Sequence, residues 1–169
     1  MIGRRRILQL SGAALALCAA PFSRAATAAL ADPAQKALDK SAVVYISPLK
    51  KDNVESTCHA EVWFTVDDGD IYVVTSSKAW RARAISLGLT QARMWVGEFG
   101  VWKDSKEAYR KAPELLASGA LVSDAAIQAR VLETFGKKYY IQWLGWGPKF
   151  RGGLKDGSRV MLRYTPTMA

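Results

Sequence analysis

The stretch between residues 58 and 75 constrains the fold most. It consists of "CHAEVWFTV" (58–66), an acidic turn "DDGD" (67–70) and "IYVVT" (71–75). Small and apolar residues alternate with bulkier or polar ones through the first segment, which is the period of a strand with one buried face. Asp68-Gly69 is a dipeptide that adopts the positive φ angles of a tight two-residue turn. The sequence therefore predicts an antiparallel hairpin and a β-rich domain.

Four further segments have the alternation or the β-branched and aromatic composition of strands. They are 43–49, 90–99, 114–124 and 158–166. With the hairpin they make six strands. The predicted fold class is α+β, mainly β: a small six-stranded split barrel with a short helix after the third strand and a longer one after the fifth.

The two helices are predicted from their apolar spacing and their ends. The short one lies within 77–88, with Ser76 or Ser77 as its side-chain cap and Gly88 as its stop. The longer one begins at Ser123-Asp124. The polar segment 103–112 is predicted to be a solvated excursion, and the segment 139–157, which is aromatic and basic and rich in glycine, is predicted to be a long loop.

The first 31 residues have the features of an export signal. Arg4 and Arg5 precede an apolar run from Leu10 to Phe22 that contains no acid, and small residues suited to a signal peptidase follow it. Twin arginines in this setting predict the twin-arginine route, with cleavage after Ala28 or Ala31 and a periplasmic or secreted location. The apolar run is about half the length that a membrane span needs, so no stable anchor is expected.

Removing this signal changes what the charge and the cysteines imply. The whole chain of 169 residues has a net charge of +9, but residues 32–169 carry 20 basic and 15 acidic side chains, a net charge of +5. This moderate excess does not by itself indicate nucleic acid. Only Cys58 remains after cleavage, so no internal disulfide is expected.

The charges in 71–97 are one-sided, because this window contains four cations and no carboxylate. Lys78 and Arg81 are predicted in the first turn of the short helix, where the helix dipole disfavours cations. An anion would reverse that effect: the unpaired backbone N–H groups at the helix start, the hydroxyls of Thr75, Ser76 and Ser77, and the Lys78 ammonium could together form a phosphate cradle. The alternative is that the cations cover a solvated face or pair with acids distant in sequence.

At this point the chain resembles a known superfamily. The hairpin "AEVWFTVDDGDIYVVTSSKAWRARA", the later "ASGALVSD" and the helix after it resemble the flavin-binding split β-barrels, which include proteins like pyridoxamine 5'-phosphate oxidase and the deazaflavin-dependent reductases. The resemblance covers about residues 42–166, the expected barrel domain. The oxidase members commonly have serine-arginine-lysine where this chain has hydroxyl-hydroxyl-lysine, so their substrate specificity does not transfer.

The resemblance implies a site and a function. Val62, Trp63 and Phe64 would lie along the isoalloxazine ring, while Thr75, Ser76, Ser77, Lys78 and, less directly, Arg81 would hold the phosphate. The expected protein is an exported oxidoreductase that binds FMN or a deazaflavin and an unknown small-molecule substrate, as a homodimer with the cofactor between subunits. Cofactor loading before export fits the twin-arginine route, which carries folded proteins.

Other readings remain open. The protein could be a non-catalytic split-barrel module that holds a ligand or partner through 139–157, or it could bind an anionic membrane or nucleic acid through a basic face. The aromatic residues of 139–157 could pack over the barrel, cover a substrate or touch a membrane. Cys58 and His59 point to opposite faces of the predicted strand, which excludes a nucleophile and base pair, and no metal site is expected, although His59 could be an axial haem ligand.

Overall fold

The computed structural model describes residues 32–167, so the predicted export signal and its cleavage points lie outside the described residues. The helices and strands follow one another in this order: α1 (Asp32–Lys40), β1 (Val43–Pro48), β2 (Ala60–Trp63), β3 (Thr65–Asp67), β4 (Asp70–Ser76), α2 (Trp80–Ser86), β5 (Gln91–Val96), a 3₁₀ helix (Ala108–Lys111), β6 (Glu114–Val122), α3 (Ala125–Lys138), α4 (Tyr140–Asp156) and β7 (Arg159–Thr167). Within 32–167, none of the helices has the length and apolarity to cross a bilayer.

The strands form one antiparallel sheet in the order β2-β1-β5-β6-β7-β4-β3. The predicted α+β class is confirmed, but the sheet has seven strands instead of six. The reason is that the segment 58–66 divides at Phe64: β2 pairs with β1, whereas β3 pairs with β4. A single run of chain therefore provides both edge strands and brings the two edges together, so that the sheet is a nearly closed barrel.

Tyr139 occupies the seam where the two edges meet. Its hydroxyl accepts a hydrogen bond from the Phe64 N–H at 2.9 Å and lies 2.7 Å from the carbonyl oxygens of both Phe64 and Ala42. A break between strands leaves buried backbone groups without a ladder partner, and this hydroxyl supplies one. Burial raises the pKa of Tyr139, so the hydroxyl keeps its proton and remains a donor.

Side chains fill the barrel interior. The interior cluster takes residues from nearly every strand and from α1 and α2, among them Leu38, Val44, Phe64, Ile71, Val73, Ala82, Met94, Leu162 and Tyr164. The hairpin turn is as predicted, because Asp68 and Gly69 have φ angles of 56° and 81°. Since the interior is full, a ligand has to bind outside it.

Helices α3 and α4 cover the outer face of β4 and β7. Asp124 caps α3 as predicted, because its carboxylate accepts hydrogen bonds from the N–H groups of Ala126 and Ile127. The prediction of a long loop over 139–157 is wrong, since Tyr140–Asp156 is a helix with Pro148 inside it. Packing stabilises this helix despite its weak propensity: a Cβ at Gly147 would lie 2.9 Å from the Trp143 ring, so only glycine lets the ring approach.

The segment 103–112 is also more ordered than predicted. Tyr109 is buried and stacks on Tyr45 at 4.8 Å between ring centroids. Arg110 donates two hydrogen bonds to Glu55 at 3.0 and 2.9 Å. Burial alone would raise the pKa of Glu55, but Arg110 and Arg93 hold it below its ordinary value, so the carboxylate stays ionised and fixes this segment against the barrel.

Candidate functional site

An open groove lies outside the barrel, between β2, β4, β7 and α4. Its volume is about 350 Å³ and it is lined by Glu61, Val62, Trp63, Val74, Trp146, Phe150 and Arg159. Most of this surface is apolar, with one acid and one cation. Sites for small molecules have this character and volumes of about 300 to 1,000 Å³. The groove is therefore the candidate ligand site.

One side of the groove is an aromatic wall, made of Trp63, Tyr139, Trp146 and Phe150. The ring of Trp63 stacks on Tyr139 with a centroid separation of 4.4 Å and an interplanar angle of 7°. Trp146 meets Trp63 edge to face at 5.9 Å. Because Tyr139 is itself anchored at the seam, the stack fixes the orientation of Trp63 before any ligand arrives.

Arg159 provides the positive charge of the groove. Its guanidinium lies 5.8 Å from the centroid of Trp146 and 5.4 Å from that of Phe150. Among residues 32–167 it forms no ion pair, so nothing neutralises its charge. Its stem crosses Gly153, where a Cβ would lie 2.6 Å away, so α4 has to carry a glycine at that point.

The predicted phosphate segment adjoins Arg159. Ser76 pairs with Arg159 in the β4–β7 register. Ser77 donates from its N–H and its hydroxyl to the carbonyl oxygen of Ser158, at 3.0 and 3.2 Å. Ser76 accepts a hydrogen bond from the Lys78 N–H at 3.2 Å. Ser76 therefore lies beside Arg159 at the end of β4, and Ser77 and Lys78 follow it along the chain, but none of the three is among the residues that line the groove.

The predicted helix cap is wrong. Helix α2 begins at Trp80 with Ala79 as its N-cap, and no side chain caps it. Ser76 and Ser77 are instead engaged with Lys78 and Ser158. Lys78 therefore precedes the helix, and of the two predicted cations only Arg81 lies in its first turn. Because no side chain caps α2, its first N–H groups are not occupied by a capping side chain.

Arg81 and Thr75 are buried polar groups without partners. The Nε atom of Arg81 and the hydroxyl of Thr75 are buried, and neither forms a hydrogen bond. No carboxylate of residues 32–167 forms an ion pair with Lys78 or Arg81, so both predicted cations lack an acidic partner in this part of the chain. Burial lowers the pKa of Arg81, whose electrostatic neighbours are Tyr164, Cys58 and Glu61. Thr75 lies on the opposite face of β4 from Val74 and so faces away from the groove.

The three predicted ring-side residues separate in the structure. Val62 and Trp63 line the groove, whereas Phe64 is fully buried in the barrel interior. The Lys138 ammonium lies 3.3 Å from the centroid of the Phe64 ring. Burial lowers the pKa of Lys138 to about 8. Phe64 is thus part of the support behind the groove instead of its surface.

Sequence reasoning missed Tyr139 and Arg159 as residues of the site, and it considered Trp146 and Phe150 only as part of an aromatic segment that could cover a substrate. A signal was present, because Trp143, Trp146 and Phe150 follow each other at helical spacing. The glycines and Pro148 between these residues disfavour a helix, so the spacing was not interpreted as helical. Arg159 carried no signal of its own, since only the pairing of β4 with β7 brings it next to Ser76.

The residues once considered for thiol or metal chemistry lie away from the groove. Cys58 is a free, half-buried thiol that is not in a strand. The Nδ1 atom of His59 is 3.9 Å from a Glu55 oxygen, and burial lowers the pKa of His59. In the described part of the chain, no three histidine, cysteine or acidic side chains are grouped as metal ligands.

Comparison with known proteins identifies the fold. No protein-family model matches the chain, and no curated protein sequence does either. Among solved structures, it is similar to HutZ, the haem storage protein from Vibrio cholerae (TM-score 0.58, 12% identity, 80% of this chain and 89% of HutZ). It is also similar to a Listeria innocua protein whose name assigns it to the pyridoxamine 5'-phosphate oxidases (TM-score 0.52, 15% identity, 81% and 93%).

A third similar structure is General Stress Protein 26 from Bacillus anthracis (TM-score 0.51, 12% identity, 78% of this chain and 84% of that one). Identities this low show shared architecture and not shared activity. The described chain has the split β-barrel fold of these proteins.

Proposed function

We propose that the protein binds FMN in the groove and acts as a flavin-dependent oxidoreductase. The observation that supports this most is the placement of a preset aromatic wall directly beside the unneutralised cation Arg159, whose strand partner Ser76 is two residues before Lys78. A flavin has a flat aromatic ring at one end and a phosphate at the other, so it matches both halves. A deazaflavin has the same two parts and is the alternative cofactor.

The groove fits the ring better than it fits the whole cofactor. Its volume of about 350 Å³ is near the lower limit for ligand sites. The isoalloxazine ring would lie against Val62 and Trp63, while the phosphate would lie at the open edge near Ser76, Ser77 and Lys78. The open side of the groove would be closed by a second copy of the chain, which is why we propose a homodimer.

The chain's own residues bind and orient the cofactor instead of reacting. When bound, a flavin supplies the electron-transfer chemistry. Trp63 and Trp146 exclude water from one face of the groove, and Arg159 favours negative charge on a bound group. Glu61 is fixed at the rim, because its carboxylate accepts a hydrogen bond from the Trp102 N–H at 3.1 Å.

Haem is the second ligand to consider, because HutZ is a haem storage protein. The apolar walls of the groove also suit a porphyrin. The lone histidine does not suit it, however, since His59 lies against Glu55, Trp102 and Tyr109 and does not line the groove. A non-catalytic haem- or partner-binding module is therefore the weaker candidate.

The test is reconstitution of the purified full-length protein. FMN, a deazaflavin and haemin are each added in excess, free ligand is removed, and the absorption spectrum and the bound ratio are measured. The proposal expects FMN or a deazaflavin to be retained in a ratio near one per chain. Retention of haemin alone would support the module, and retention of no ligand would overturn the cofactor proposal.

We also propose that the chain is exported by the twin-arginine route. The proposal depends on Arg4, Arg5 and the small residues before Asp32. Intact mass of the protein from the exported fraction should show loss of residues 1–28 or 1–31. Replacing Arg4 and Arg5 by lysine should leave the precursor inside the cell, and normal export of that variant would exclude the route.

A further inference from the structure

Helix α4 presents an apolar patch to solvent at its start. Tyr140, Ile141 and Leu144 have exposed fractions of 78, 76 and 80%, the highest of the exposed large apolar side chains in residues 32–167. They lie on one helical turn, so their side chains form one surface. Singly exposed apolar residues are common, but a contiguous cluster marks an interaction site.

The rest of the same helix face is basic. Arg151 and Lys155 are exposed and follow Ile141 and Leu144 at helical spacing, on the side of α4 away from the groove. Lys137 is exposed just before the patch. Within the described residues these three cations form no ion pair. The nearby carboxylate of Asp156 is engaged by the Ser158 N–H at 2.8 Å.

The charges identify the kind of partner. Two copies of the chain that met through this face would bring their unpaired cations together, which opposes self-association. An anionic lipid surface would instead neutralise the cations and accept the apolar side chains. Tyrosine at the boundary of an apolar patch, with lysine and arginine beside it, is the composition of helices that lie in a membrane interface.

We infer that α4 docks this protein onto anionic bilayers, with Ile141 and Leu144 inserted among the lipids and Lys137, Arg151 and Lys155 on the headgroups. The surface is separate from the groove, since Trp146 and Phe150 occupy the other side of the helix. Docking would leave the proposed ligand site open, and the inference does not depend on which ligand binds there.

The test is co-sedimentation of the full-length chain with vesicles of phosphatidylcholine, with and without phosphatidylglycerol. The double variant Ile141→Asp with Leu144→Asp should lose at least tenfold in partitioning to the anionic vesicles. Replacing Arg151 and Lys155 by glutamine should weaken it about fivefold per cation and reduce its salt dependence. Val54→Asp, at a position in the loop between β1 and β2 that is 52% exposed, is the control for an added surface carboxylate and should bind as wild type does.

Every variant retains the apolar run of residues 10–22, so the difference between variants isolates the patch. The double variant should also unfold at the wild-type temperature, because its side chains are exposed. Equal partitioning of the double variant and wild type would overturn the inference, as would equal binding of wild type to neutral and anionic vesicles. A wild-type dimer that the double variant converts to monomer without vesicles would assign the patch to self-association and overturn it as well.

Discussion

The two sides of the groove are built in opposite ways. The aromatic wall is continuous with the protein's packing, because Trp63 stacks on Tyr139 and Tyr139 hydrogen-bonds the barrel seam. The edge formed by Ser76, Ser77, Lys78 and Arg159 has charges that no carboxylate of residues 32–167 neutralises. The wall therefore contributes to folding with or without a ligand. The edge, in contrast, has positive charge that only a bound anion would neutralise. Substitutions in the wall should therefore affect both stability and ligand binding, whereas substitutions in the edge should affect mainly the binding of anionic ligands.

Trp63→Ala is expected to have the largest effect. Removing a ring that stacks on a bound ligand costs about 1 to 3 kcal/mol, which raises the dissociation constant for FMN about 5- to 150-fold. Fluorescence titration measures the change. Trp63→Phe keeps an aromatic face and should recover most of the affinity. If the alanine variant bound FMN normally, the aromatic wall would not be the ring site.

Tyr139→Phe tests whether the residue that supports the aromatic wall also stabilises the fold. It keeps the ring stack but removes the hydroxyl that contacts the buried N–H and carbonyl of Phe64 and the half-buried carbonyl of Ala42. The expected cost is about 1 to 3 kcal/mol in the free energy of unfolding. Denaturant titration measures this loss. Tyr140→Phe, at the adjacent exposed position, is the control and should change stability by less than about 0.5 kcal/mol. Equal stability of the two variants would contradict the role of the seam.

Lys138→Met tests the support behind the wall through its pH dependence. Burial lowers the pKa of Lys138 to about 8 from its ordinary value of 10.5. The folded chain therefore loses this proton before the unfolded chain does, and wild-type stability should rise as pH increases from about 8 towards 10.5. The acids near the ammonium, Asp39 and Glu98, partly offset its desolvation.

The methionine variant lacks this titration. It should be more stable than wild type at about pH 7, by about 1 kcal/mol after allowance for the lost contact with Phe64, and the advantage should shrink by about pH 9.5. Denaturant midpoints at the two pH values measure it. Lys137→Met, at the exposed neighbouring position, should show no such trend. An advantage that grows with pH would mean that Lys138 is not desolvated.

Lys78→Ala and Ser77→Ala should have the smallest effects. Lys78 is exposed, and exposed charge pairs contribute less than about 1 kcal/mol, so FMN affinity should fall only about two- to fivefold. The loss should diminish at high salt and should not appear with riboflavin, which lacks the phosphate. Lys111→Ala, at an exposed position in the 3₁₀ helix, is the control and should leave FMN affinity unchanged. Unchanged FMN affinity in both variants would remove this edge from the site.

The parts of the fold that local patterns encode could be predicted from the sequence. The Asp68-Gly69 turn, the strand alternation and the Asp124 cap each depend on neighbouring residues, and each was found. The division of 58–66 at Phe64 could not be predicted, because the alternation continues through it and only the closure of the barrel breaks the strand. Helix α4 was missed because packing of Trp143 and Arg159 against glycines, and not local propensity, stabilises it.

The candidate site was predictable to a similar extent. Val62 and Trp63 were predicted from the resemblance to the flavin-binding split barrels, and the cations of 75–81 from the one-sided charge of their segment. Arg159 and Phe150 become part of the groove only through the pairing of β4 with β7 and the packing of α4 on the sheet. Contacts between residues so distant along the chain leave no pattern in a single sequence.

The most direct test of the account is to titrate the full-length protein with FMN and, in parallel, with riboflavin. Quenching of protein and flavin fluorescence measures binding in both titrations. The two ligands share the ring that the aromatic wall would hold, and only FMN carries the phosphate that the incomplete edge would bind. The account predicts that both bind, FMN at least about tenfold more tightly and with greater salt sensitivity. Failure of both to bind, or equal affinity for the two, would contradict it.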